Sequence, residues 1–182
     1  NQNKFINVRT PIGNVKIKMR NRESARTLYS IFIRKDYPLD KKVHHIIDLG
    51  SNIGISAIYF LTRNKQNSAS LYEADPRNLS YLKENLAPYI KRSNIQNIAV
   101  NSSIKDKTID FFITDCGKYS SLIYSENFKQ TKIKVNSISL NKILEEQCNK
   151  YKYSDIILKV DLEGIEMEII KTVNFDNYKN IS

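Results

Sequence analysis

Apolar and polar residues alternate along Phe5–Arg9 and again along Asn14–Met19, on either side of Thr10-Pro11-Ile12-Gly13, and this predicts a β-hairpin. Over Ser24–Tyr37, Leu28, Ile31 and Phe32 share one helical face. From residue 43 the pattern changes to strands alternating with helices. Val43–Leu49 is a nearly continuous apolar run closed by Gly50, as expected of a buried parallel strand, and Ile55, Ile58, Leu61 and Thr62 follow at helical spacing. Ala69–Ala74 reads as a second strand. Asp75-Pro76 then supplies an N-cap and a proline at the first helical position, ahead of Leu79, Leu82 and Leu86. Ile95–Val100 predicts a third strand, and Thr108–Thr114 with Lys132–Ser139 a hairpin pair around the polar-aromatic loop Asp115–Thr131. Asn141–Cys148 reads as a helix with Ile143 and Leu144 inward. Asp155–Asp161 is the fourth parallel strand, and Ile165, Ile169, Ile170 and Val173 mark the face of the last helix.

Repeated strand–helix units of this crossover length imply an α/β fold, a doubly wound and mostly parallel sheet with helices on both faces. An N-terminal hairpin and helix and an inserted β-hairpin complete it. Residues 1–42 are expected to pack on a core formed by 43–182, a single domain overall. Four parallel strands and one last helix would leave an apolar sheet edge, so further strands are expected beyond residue 182 and the chain is read as truncated at its C-terminus.

Composition narrows the class. A chain of 182 residues with 41% hydrophobic and 26% charged residues suits one folded domain and argues against disorder. No window approaches the roughly 18 uncharged apolar residues of a membrane span, and no apolar leader is present. Cys116 and Cys148 lie far apart without metal-ligand company, which disfavours a disulfide framework or zinc ribbon and points to a reducing, cytoplasmic setting. The net charge of +10 is uneven: residues 1–42 hold eleven Lys/Arg against three Asp/Glu, the rest eighteen against sixteen. Lys16, Lys18, Arg20, Arg22 and Arg26 therefore either receive an anionic acceptor or form a solvated face. The abundance of Ile, Lys and Asn accounts for much of the basicity without any partner.

Open α/β sheets bind ligands at the carboxyl ends of their strands. The first parallel strand ends Asp48-Leu49-Gly50-Ser51-Asn52-Ile53-Gly54, where glycines permit a tight turn and a helix N-terminus follows. The second ends in Glu73, nineteen residues after Gly54, placed to accept hydrogen bonds from a ribose diol or to act as a capping acid. The fourth ends Lys159-Val160-Asp161-Leu162-Glu163-Gly164, with Lys159, Asp161 and Glu163 on one face by the period of two. The glycine spacing is G-x-x-x-G rather than the G-x-G-x-x-G of dinucleotide sites, and Asp48 would repel a pyrophosphate while suiting the ammonium of a methionine-like tail. This favours S-adenosylmethionine over NAD.

Asp-Leu-Gly-Ser-Asn-Ile-Gly (48–54), Glu-Ala-Asp-Pro (73–76), Asn-Ile-Ala-Val (97–100), Ser120-Ser121-Leu122 and Lys-Val-Asp-Leu-Glu-Gly-Ile-Glu (159–166) resemble the successive motifs of FkbM-type methyltransferases over roughly residues 30–175. The departures are Ser51, where alanine is usual, and Ala74, where proline is frequent. The resemblance implies a class I, Rossmann-like methyltransferase using S-adenosyl-L-methionine, usually to methylate hydroxyls of sugars or natural products. It places Asp48, Gly50, Ser51, Asn52 and Gly54 around the methionine and ribose, Glu73 on the ribose, Ala74, Asn97 and Ile98 beside the adenine, and Asp161 near the methyl group and acceptor.

An alcohol must lose its proton as it attacks, so Asp161 and Glu163 are the candidate bases, and Lys159 could steady alkoxide charge. The Asp-Leu-Glu-Gly sequence differs from the Asn/Asp-Pro-Pro-aromatic tetrad of amide and base methylases, which disfavours those acceptors. The expected partner is a small-molecule or glycan hydroxyl, with nucleic acid disfavoured. The alternatives are an RNA-directed methyltransferase and a non-catalytic S-adenosylmethionine- or nucleotide-binding domain. No metal is expected: Asp161 and Glu163 could ligate magnesium, but no second acid cluster supports it. Glu166 reads as a first-turn helix acid, His44 and His45 as structural or surface residues at the wrong end of their strand. Ser120 and Ser121 either meet a ligand or end a turn. Tyr119, Tyr124 and Phe128 either form a lid or pack the loop down.

Overall fold

The computed structural model describes residues 4–103, 107–115, 120–127 and 129–182. The N-terminal alternation forms an antiparallel hairpin, β1 (Lys4–Thr10) and β2 (Gly13–Met19), whose register runs from Lys4 opposite Met19 to Thr10 opposite Gly13. Its inward residues Val15, Ile17 and Met19 are buried. Helix α1 (Arg22–Leu28) starts two residues before the expected Ser24, because Asn21 caps it by accepting from the Ser24 N–H. The expected helix to Tyr37 ends early. A π-helical turn (Tyr29–Arg34) continues from α1 and stops where Lys35 adopts a left-handed conformation.

Four parallel strands form the central sheet in the order β5-β4-β3-β9, with β3 (His44–Leu49), β4 (Ser68–Tyr72), β5 (Ser93–Gln96) and β9 (Asp155–Val160). Every residue of β3 is buried, so its run reads as apolar rather than alternating. Alternation reappears in the two faces. Ile46, Ala69 and Leu71 pack with α2 (Ile55–Leu61), α3 (Pro76–Asn85) and the N-terminal unit. Ile47, Leu49, Tyr72 and Ile156 pack with α4 (Leu140–Lys150) and α5 (Glu166–Ile170) on the other side. Helix α2 is buried all round because it lies between the sheet and the N-terminal unit, whose Ile17, Leu28 and Ile31 join the same cluster.

The third expected strand is divided. Ser93–Gln96 pairs with β4, but Ala99–Asn101 forms a separate strand, β6, parallel to β8 (Gln130–Ser139). The chain changes partner at Asn97, whose side-chain amide donates to the carbonyls of Glu73 and Ala74 just where β4 has ended. Strand β7 (Thr108–Thr114) pairs antiparallel with β8, as the inserted hairpin requires. The last helix is shorter than expected: α5 stops at Ile170, so Val173 lies beyond it. Residues 180–182 return to the outer edge of β9, with Ile156 donating to Asn180 O and Leu158 to Ser182 O.

His44 and His45 are buried and structural. His44 Nε2 lies 2.6 Å from Asp40 Oδ1, and His45 bridges the Ser68 and Ser70 hydroxyls at 2.8 and 3.1 Å while stacking on Tyr151. Cys148 is a free thiol that is partly buried; Cys116 lies outside the described residues. No helix among the described residues is long and apolar enough to cross a membrane.

Candidate functional site

Strand order reverses beside β3: β4 and β5 extend from one of its edges, and the chain later returns to add β9 at the other. A crevice forms outside the carboxyl ends of strands at such a point. Here the two ends approach closely. Gly50, at φ +74°, has no room for a side chain, since a Cβ would lie 2.0 Å from the Asp161 carbonyl oxygen. The turn after β3 is fixed by Ser51, whose hydroxyl donates to Asp48 O at 2.8 Å, and by the Gly54 N–H, which donates to Ser51 O at 2.8 Å. Gly54 sits at φ +89° against Leu82, so its role is to let α2 pack close to α3.

Two adjoining lobes flank this contact. The first is lined by Gly50, Asn52, Glu73, Ala74, Ile98, Asp161 and Glu163 among the expected residues, with an apolar wall from Tyr72, Val100, Phe111 and Leu122. The second shares Gly50, Asn52, Asp161 and Glu163 and adds Ser51, Lys159 and the α1 residues Glu23, Ser24 and Thr27. Lys159, Asp161 and Glu163 do come together, although not as one strand face. Strand β9 ends at Val160, and Glu163, at φ +55°, turns the chain. The Glu166 carboxylate holds that turn, accepting from Leu162 N–H at 2.9 Å and Gly164 N–H at 3.0 Å, which matches its expected structural role. Burial alone would raise the Glu166 pKa, but these N–H groups hold it below the ordinary carboxylate range.

Glu73 follows β4 directly. Its Oε2 accepts from the Asn52 N–H at 2.7 Å, and its Oε1 from the Asp75 N–H at 2.9 Å and the Asn78 amide at 3.3 Å. Burial pushes its pKa up to about 7 against the pull of those donors. A carboxylate offers about four acceptor positions, so one remains, on Oε2. Asp75 next to it both caps α3 and pairs with Arg77, as expected of an N-cap acid.

Asp48 is fully buried and lines neither lobe. Its Oδ2 accepts from the Ser56 hydroxyl at 2.7 Å, and its Oδ1 lies 2.9 Å from Lys159 Nζ. Lys159 Nζ also donates to Gly50 O at 2.7 Å and Leu49 O at 3.3 Å and lies 3.7 Å from Asp161 Oδ2. Burial by itself would depress this lysine, but Asp48 and Asp161 outweigh it and hold its pKa above the ordinary value. The ammonium that was expected at Asp48 is therefore supplied by the protein itself. Asn97 likewise stays behind the first lobe, bonded to backbone.

Ser120 lines the first lobe and donates to Asp75 Oδ2 at 3.2 Å; Ser121 forms an isolated antiparallel bridge with Phe112, and its hydroxyl donates to Glu163 O at 3.0 Å. Tyr124 is exposed and meets Phe112 edge-on, while Tyr119 and Phe128 lie outside the described residues. Four of the five N-terminal cations are engaged: Lys18 with Glu84, Arg26 with Glu23, Arg20 with Asp75 and Asn78, and Lys16 over the Phe5 ring. Sequence reasoning missed Asn78, Phe111 and the α1 residues of the second lobe. Asn78 had a signal, three positions after the N-cap Asp75 and so directed back at the loop before its helix. The α1 residues had none, since their proximity depends on how the hairpin packs.

A family model described as the methyltransferase FkbM domain matches residues 48–180. The fold is also similar to the crystal structure of methyltransferase FkbM from Methylobacillus flagellatus KT, at a TM-score of 0.54 and 16% identity, over 89% of this chain and 40% of that one. This chain thus spans less than half the length of that protein, and at this identity the likeness concerns the fold. No curated protein matches the sequence significantly.

Proposed function

The chain belongs to the FkbM methyltransferase family, and from this we propose that it transfers a methyl group from S-adenosylmethionine to a hydroxyl of a glycan or small metabolite. One observation carries the reading: a buried carboxylate, Glu73, lines the same cavity as the partly exposed Asp161, across the point where Gly50 has no room for a side chain. The residues fit the cofactor. Glu73 retains an acceptor position for a ribose hydroxyl, and the wall of Ile98, Val100, Phe111 and Leu122 suits a flat adenine. The second lobe, lined by Ser51, Asn52, Lys159, Asp161 and Glu163, is the proposed place for the methionyl end and for the incoming hydroxyl. The bound sulfonium supplies an electrophilic methyl carbon, so the protein's work is mainly alignment of the acceptor oxygen with it.

Asp161 is the proposed base. Its carboxylate is about half exposed and 3.7 Å from the Lys159 ammonium, able to accept the hydroxyl proton at Oδ1 or Oδ2. Lys159 is the proposed anchor, joining the ends of β3 and β9 through Asp48 and two carbonyls, which keeps Asp161 over the Gly50 turn. The first test is calorimetry with S-adenosylhomocysteine on the wild type and on Glu73→Ala. Wild-type binding weakened at least tenfold in the variant supports the assignment. Equal affinities would overturn it.

A further inference from the structure

Arg20 lies between β2 and α1, before the segment that matches the family model, yet its side chain reaches the cavity's supporting wall. Its Nη1 donates to Asn78 Oδ1 and lies 3.8 Å from Asp75 Oδ2, its Nη2 donates to Asp115 O at 3.4 Å, and the side chain is only 12% exposed. An arginine carries donors only, so whatever faces Nη1 must be an acceptor. That fixes the Asn78 amide: its oxygen turns to Arg20, and its NH2 turns to Glu73 Oε1 at 3.3 Å. With the amide turned over, Asn78 would present an oxygen to the Glu73 carboxyl, which then favours the protonated acid.

We propose that Arg20 is a positioning residue for cofactor binding, holding the Asn78 side chain in the one orientation that donates to Glu73 and so keeping that carboxylate ionised and aimed at the ribose. The inference rests on the reading of Glu73 as the ribose ligand. Its consequence is that the N-terminal unit, besides filling the core, completes the cofactor site. The other groups around Glu73 are the Asn52 N–H from the turn after β3, the Asp75 N–H and carboxylate, and Arg77, which is paired to Asp75; Asp161 and Glu163 line the far side of the same lobe. Burial holds Glu73 near 7, so the loss of one donor moves its ionisation within an accessible range.

The test is calorimetric titration with S-adenosylhomocysteine between pH 5.5 and 8.5, on wild type, Glu73→Gln, Arg20→Met, Arg20→Lys and Asn78→Asp. In the wild type, affinity is expected to rise with pH through about 7 as Glu73 ionises. Arg20→Met should weaken binding roughly tenfold at pH 7 and move that midpoint upward, and Arg20→Lys, which keeps a donor-only head, should restore most of both. Asn78→Asp keeps a partner for Arg20 but offers Glu73 no donor, so it should show the same upward shift. It also serves as the test if Arg20→Met fails to fold, a fault that thermal unfolding detects. Arg20→Met and Asn78→Asp both matching wild type in affinity and midpoint, while Glu73→Gln binds weakly, would overturn the role of Arg20 alone. Glu73→Gln binding as tightly as wild type, or no binding by the wild type, would overturn the underlying site instead.

Discussion

Replacing Lys159 with methionine isolates the interaction on which the site's frame depends. In the wild type the ammonium stands 2.9 Å from Asp48 Oδ1, 2.7 Å from Gly50 O and 3.3 Å from Leu49 O, with Asp48 wholly buried. Methionine matches the length and apolar stem but leaves Asp48 with only the Ser56 hydroxyl and strips Gly50 O of its donor. Removing one member of a buried pair costs about 3–5 kcal/mol, because the remaining charge stays desolvated. For a chain of this size each kcal/mol moves the midpoint by roughly 2–4 °C, so melting should fall by roughly 6–20 °C. The pair's contribution should not vary across neutral pH. The wild-type pair holds Lys159 above its ordinary value of 10.5, so its contribution is complete below that value and constant from pH 5 to 8. Adding Asp48→Asn to Lys159→Met removes the stranded charge and should recover at least half of the loss. A single variant within about 1 kcal/mol of wild type at pH 8, or a double variant less stable than the single, would refute the reasoning.

Gly50→Ala puts a Cβ 2.0 Å from the Asp161 carbonyl and a side chain at φ +74°, so β3 and β9 must part at their ends. The left-handed conformation alone costs about 1–2 kcal/mol, and overpacking adds about 1–3 more; wild-type melting and S-adenosylhomocysteine affinity would contradict this. Two buried groups give the fold opposed pH dependences. Glu73, held near 7 against an ordinary 4.5, contributes stability at low pH that is lost as pH rises from about 4.5 to 7. His45, depressed by burial to about 4 from 6.5, contributes stability above 6.5 that is lost as pH falls towards 4. Each is worth about 3 kcal/mol at its limit, so Glu73→Gln should unmask a stability that rises through pH 4.5–6.5, and His45→Gln one that falls; parallel profiles from the two variants would refute both. Asp161→Asn should lower methyl transfer roughly 10²–10⁴-fold while leaving S-adenosylhomocysteine affinity within a few-fold, and undiminished turnover would exclude it as the base.

Local chemistry made some elements legible and left others hidden. Asp75-Pro76 announces α3 because a capping acid and a proline at N1 act within one turn, and the helix begins where they place it. The β1–β2 hairpin is legible for the same reason, since Val15, Ile17 and Met19 alternate with polar residues over a two-residue connection. The break at Asn97 is not local. Ile95, Ile98 and Val100 read as one apolar strand, and the division arises because β4 ends at Tyr72 while β8, more than thirty residues later, offers Ser137–Ser139 to the second half. Shortening of α5 is hidden in the same way: Val173 keeps the helical spacing of Ile165 and Ile169 but lies beyond the helix end at Ile170.

At the site, strand parity separates the two acids that composition alone treats alike. Asp48 lies inside β3 and shares the face of Ile46, two residues earlier, which looks towards α2; Ser56, in the first turn of that helix, is therefore its neighbour. Glu73 stands one residue past β4, its backbone still bonded to Gln96 and Ile98, and the backbone N–H groups of Asn52 and Asp75 receive its side chain. Parity alone would have turned Asp48 away from the crevice. What parity does not supply is the register that sets Asp48 opposite Lys159, since β3 and β9 are more than a hundred residues apart and pair only in the folded sheet. The lysine that reads as catalytic beside Asp161 is thereby drawn back to Asp48 and the Gly50 carbonyl, which leaves Asp161 and Glu163, beyond the strand end, as the acids that line the crevice.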